Sequence, residues 1–166
     1  MPVLRGQPRI PALTPDQRRD FLQVLTREIQ GDGGAPDLIV FEIPLEWQDK
    51  FDAILLWDRW KDVPGQERNE LIEEAYGDRA RSLSLVHGVT YEEAIEQGQL
   101  PVRLRPRSAV SESENRNALL SAGGFENRDG TFQLRYPTVG IAEVAKRQLE
   151  EKLPGSEWFI QSSESF

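Results

Sequence analysis

His87 is the only imidazole among 166 residues, so it is the one side chain whose ordinary pKa suits proton transfer near neutral pH. It lies in Leu85-Val86-His87-Gly88-Val89-Thr90, a strand end running into a turn, where catalytic groups are commonly carried. Paired with a nearby carboxylate it would serve a small hydrolase or transferase, although no serine nucleophile motif accompanies it. Five acids, Glu46, Asp49, Asp52, Asp58 and Asp62, supply oxygen of the kind Mg²⁺ or Ca²⁺ takes. Their spacing fits no EF-hand loop, and Asp52 and Asp58 fall at opposite ends of one strand, so they read as strand-end and helix-start acids and no metal is expected.

Other chemistries are excluded by composition. With no cysteine there are no disulfides, thiolate nucleophiles or zinc-thiolate sites. Gly31-Asp32-Gly33-Gly34 follows a helical segment and lacks the Lys-Ser/Thr of a phosphate loop, and Gly123-Gly124 precedes no helix. Both read as turns, as does Asn127-Arg128-Asp129-Gly130, so no cofactor is expected. The stripe Arg103, Arg105, Arg107 has strand spacing and reads as a solvated edge.

A second class of function follows from charge. The net charge of -8 is concentrated between residues 37 and 100, which hold 15 acidic and 6 basic side chains. Such a surface repels a phosphate backbone, so nucleic acid is not an expected partner. Glu67, Glu70, Glu73 and Glu74 crowd the outward side of one helical segment, and Trp60, flanked by Arg59 and Lys61, has the setting of a partly exposed interface anchor. These five residues are the expected contacts with a basic protein partner. No stretch approaches the roughly 20 apolar residues of a membrane span and the N-terminus has no apolar leader, so a soluble cytoplasmic protein with no membrane attachment is expected.

The elements that must position these residues are legible from capping and periodicity. Residues 1–13 hold three prolines and no sustained period, which predicts a flexible arm. Thr14-Pro15-Asp16-Gln17 forms a capping box, and Phe21, Leu22, Leu25 and Ile29 give the helix after it one apolar face. Strands are predicted over 38–43 and 51–57, the second apolar on both faces at its centre, and a helix runs from Pro64 to a stop at Gly77. Leu83, Leu85 and His87 alternate as a third strand, Thr90 opens a short helix, and 102–105 is extended. Beyond these, the pattern predicts a helix from Ser111 to Leu120, a strand over 131–136, a helix over 140–153 with Ile141, Val144, Ala145, Leu149 and Leu153 inward, and a closing strand over 158–161.

Over residues 14–97 this order resembles the BolA-like family. The resemblance is carried by Phe51 opening a strand of hydrophobics, by Asp58-Arg59-Trp60, by Leu71-Ile72 and Tyr76 in the next helix, and by Leu83-Ser84-Leu85 leading to Thr90 and Glu93. Arg68-Asn69-Glu70-Leu71 replaces the family's Arg-His-Arg run, and Arg81 or Ser82 stands where a cluster-binding histidine belongs. The resemblance therefore implies a shared αββαβ shape and neither cluster sharing nor nucleic-acid binding.

The whole reads as an α+β protein with a mixed sheet of five to six strands and helices packed on it, an αββαβ-like half followed by α-β-α-β. A single domain over 14–166 is expected, with lobes 14–107 and 108–166 as the alternative. The expected function is a non-enzymatic binding or regulatory module for a protein partner, with His87 chemistry as the competing reading.

Overall fold

The computed structural model describes residues 11–31, 33, 35, 37–46 and 48–162. Two compact units divide the chain, Met1–Thr90 and Tyr91–Phe166. This boundary precedes the extended segment at 102–106 instead of following it, because that segment pairs only with later strands. The α+β class holds, but among the described residues three small sheets stand in place of the expected single mixed sheet. In each three-stranded sheet the central strand has both edges paired by strands of its own unit.

The first unit runs α1 (Pro15–Ile29), β1 (Ile39–Pro44), β2 (Phe51–Leu56), α2 (Gly65–Tyr76) and β3 (Leu83–Val89), the αββαβ order read from the sequence. The sheet order is β1-β2-β3, with β1 antiparallel and β3 parallel to β2. The capping box forms as expected: Thr14 Oγ1 accepts the Gln17 N–H at 3.2 Å, and the Gln17 side chain accepts that of Thr14 at 2.9 Å. From Ala53 to Trp57 every residue is buried, as a strand apolar on both faces requires. Phe21, Leu25, Leu55, Trp57, Trp60, Leu71 and Ile72 form the core where α1 and α2 lie on the sheet. Leu85, by contrast, is exposed on β3.

Of the predicted arm, residues 1–10 lie outside the described residues. Residues 11–13 are held in place, since the Ala12 N–H donates to Glu67 Oε1 at 2.7 Å and Leu13 packs against the core.

The second unit contains α3 (Tyr91–Glu96), β4 (Val102–Pro106), α4 (Arg116–Ser121), β5 (Phe125–Glu126), β6 (Phe132–Gln133), β7 (Arg135–Tyr136), α5 (Val139–Lys152) and β8 (Trp158–Ser162). β4 is central in the order β7-β4-β8 and antiparallel to both neighbours, so β7 and β8 run parallel on either side of it. The strand predicted over 131–136 is broken at Leu134, its first half pairing with β5 and its second with β4. Gly130, at φ +85°, supplies the left-handed turn between β5 and β6. The helix predicted from Ser111 begins only at Arg116, and the α5 face is set by Ala142, Ala145 and Leu149, leaving Val144 exposed.

Candidate functional site

Two of the five residues expected to meet a partner are interior. Trp60 has no exposed surface, because the 3-10 turn Asp58–Trp60 folds its indole back under β2, where Nε1–H donates to the Leu55 carbonyl at 3.2 Å. Glu67 is 9 % exposed beneath residues 11–13, so it anchors the approach to α1 and does not face outward. Glu70, Glu73 and Glu74 remain on the surface of α2, with Glu74 bridged to Arg18 and Glu70 accepting from Gln66. His87 lies mid-edge on β3 opposite Ile54, and among the described residues no hydrogen bond or ion pair joins its ring to a carboxylate. The orienting partner that acid-base catalysis needs is thus not assembled around it. No group of three or more His, Asp or Glu side chains converges as a metal site among the described residues, and Asp62 takes a turn conformation at φ +65°.

A different constellation forms in the second unit. A groove of about 410 Å³ opens where β7 ends beside β4, and its lining brings Arg103 and Arg105 of β4 together with Arg135 of β7. Leu104, Leu119, Leu134, Phe132 and Trp158 form its apolar walls, and Glu112 is the one acid on it. Arg103 and Arg135 are directly paired across the antiparallel strands, a register that sets their side chains on one face about 5 Å apart at Cβ. Like charges in that position repel. Neither they nor Arg105 forms an ion pair among the described residues, and Arg135 Nε is buried with no acceptor. Six other arginines are paired with acids: Arg18 with Glu74, Arg19 with Asp16, Arg59 with Asp20, Arg79 with Glu42, Arg107 with Glu157 and Arg116 with Glu126. Arg27, Arg81, Arg128 and Arg147 also stand without an ion pair among the described residues, so what distinguishes the groove is the gathering of three such cations at one place.

The groove is rigidly framed. Gly124 lets the end of α4 close on it, since a Cβ there would meet the Leu119 carbonyl oxygen at 2.7 Å and Leu134 Cδ2 at 2.8 Å. Tyr91 donates its hydroxyl to Gln133 Oε1 at 2.7 Å and stacks on Phe125 at 3.9 Å, while Gln133 Nε2 donates to Asn127 Oδ1 at 3.2 Å. Burial pushes the Tyr91 phenol up to about 12 against the opposing pull of Arg103, so its proton stays in place at any ordinary pH.

Two of the three arginines belong to the stripe that reads as a solvated edge in sequence. Their strand is central instead, and the third stripe member, Arg107, is occupied by Glu157. Arg135 carries no local signal, because its role depends on a strand pairing with residues some thirty positions earlier. The chain matches no family model, no curated protein and no solved structure.

Proposed function

We propose that this protein is a non-enzymatic binding module that takes an anionic group with an apolar body into the groove of its second unit. The observation that supports this reading is the set of three arginines left without carboxylates in a chain holding 28 acids, gathered over an apolar groove with a guanidinium nitrogen buried and unmatched. Grouping like charges costs stability that a structural role does not return, whereas a carboxylate, sulfonate or phosphate among the guanidiniums would offset their repulsion and accept hydrogen bonds from them. The αββαβ first unit and the BolA-like likeness supply a shape and no activity.

Titration with benzenesulfonate and phenylacetate, followed by amide chemical shifts, tests the reading. Saturable shifts confined to residues 103–106, 132–135 and Trp158, weakening with salt and lost in Arg105→Gln/Arg135→Gln, are expected. Equal titration curves for wild type and the double variant would overturn it. A second reading keeps a basic protein partner at the surface of α2, favoured by Glu70 and Glu73, which stay exposed, Glu70 lining a groove of about 340 Å³ with Leu13, Gln66 and Leu71.

A further inference from the structure

We infer that the groove selects a phosphate monoester, an anion with two charges, over anions that carry one. The inference rests on the anion-binding reading above and concerns which anion. It follows from the cross-strand pairing of Arg103 with Arg135. A single carboxylate satisfies one guanidinium through one bidentate contact and leaves the second repelled and unmatched. A doubly ionised phosphate has three terminal oxygens and enough charge to bridge both, with Arg105, two residues further along the same face of β4, lying toward the open side.

The apolar walls define the rest of the ligand. Phe132 and Trp158 with Leu104, Leu119 and Leu134 offer surface for an aromatic or branched aliphatic body, and the volume suits one ring with its phosphate. The shared chemistry is a phosphate ester on an apolar body, whether a free small molecule or a phosphorylated tyrosine side chain. Glu112, the one acid in the lining, repels an anion, and the paired guanidiniums of Arg103 and Arg135 attract it, so the phosphate belongs to that pair.

The charged groups lining this position are Arg103 and Arg105 from β4, Arg135 from β7 and Glu112 from the segment before α4, and Tyr91 of α3 reaches the lining through its hydroxyl bond to Gln133. Arginine keeps its charge throughout the accessible pH range. Phosphate monoesters lose their second proton near pH ~6, so the preference should follow the ligand's ionisation.

Phenyl phosphate and benzenesulfonate, matched in ring and tetrahedral head but differing in charge, are the probes, with a phosphotyrosine peptide and its unphosphorylated form as a further arm. At pH 7.5 phenyl phosphate should bind about tenfold tighter or more, the ratio should fall toward one by pH 5, and Glu112→Gln should retain that fall. Arg103→Gln and Arg135→Gln, either one sufficing if the other fails to fold, should bring the ratio near one at pH 7.5, while Arg107→Gln leaves it unchanged. Tighter binding of the phosphopeptide than of phenyl phosphate assigns the site to a protein segment, and the reverse assigns it to a free ester. Equal affinity for phenyl phosphate and benzenesulfonate at pH 7.5 would overturn the dianion preference while leaving anion binding in place. Failure of every anion to bind would overturn both.

Discussion

Arg68 and Arg135 are both drawn into the protein, one in each unit, and their surroundings differ in a way that separates structure from function. Arg68, on α2, is 8 % exposed and each nitrogen of its guanidinium donates: Nε to the Val63 carbonyl at 2.7 Å, Nη2 to that of Trp60 at 2.7 Å and Nη1 to that of Gly88 at 3.1 Å. Gly88 leaves room for that clamp, since a Cβ there would stand 3.0 Å from Arg68 Cβ. Arg135 stands opposite another arginine with a buried nitrogen unmatched. A cation bonded at every nitrogen holds a fold together, and one with a buried nitrogen left over has capacity for something not in the chain.

The comparison breaks first if Arg68 proves dispensable. Arg68→Met should cost roughly 3 to 5 kcal/mol, because it strands buried carbonyls at three points of the first unit. Urea denaturation gives the figure, and a loss under about 1 kcal/mol would show the clamp to be incidental.

A smaller loss is expected in alkali. Burial raises the phenols of Tyr91 and Tyr136 in the second unit, and burial with Glu42 raises that of Tyr76 in the first. The folded state therefore holds these protons more tightly than the unfolded chain. For Tyr91 the stabilisation is complete below pH 10 and is lost as pH climbs from 10 to about 12. Phenolate absorbance should rise together with the loss of folded signal, and a phenolate step that precedes unfolding would contradict the buried placements.

The smallest expected effect is also the most telling. Arg135→Met should change stability by no more than about 1 kcal/mol, and with either sign, because it removes a repelled and incompletely bonded cation while keeping the apolar stem. The preference for phenyl phosphate over benzenesulfonate should nevertheless be lost. A destabilisation like that of Arg68→Met would place Arg135 among the structural residues and sharpen the contrast out of existence.

What the sequence displayed were the features decided locally. Thr14 and Gln17 lie three apart and cap each other, and Ala53 to Trp57 are apolar enough that no pairing scheme could leave them in water. The residues misjudged are those whose surroundings come from afar. Glu67 has the helical position of a surface acid until residues 11–13 cross it, and Trp60 follows two charged neighbours yet turns inward through a 3-10 turn. Arg103 and Arg105 displayed their alternation, but only the pairing of β4 with β7 makes them part of a groove, and that pairing spans a helix and a hairpin. The broken strand at Leu134 could not be anticipated because 131–136 divides its hydrogen bonds between two partners.

The placement of the indoles gives the two units separate optical signatures. Trp57 and Trp60 sit edge to face, 5.3 Å apart, in the first unit, with Arg59 over the Trp57 ring, and Trp47 precedes them in the chain. Trp158 is the only indole after Thr90, and it forms part of the groove wall with Nε1–H donating to Ser156 Oγ at 3.0 Å. Replacing that single ring by phenylalanine leaves emission from the first unit alone, and subtracting the two spectra isolates the second. The chain thus carries its own reporter for whether the two halves melt as one body or in succession, without any added label.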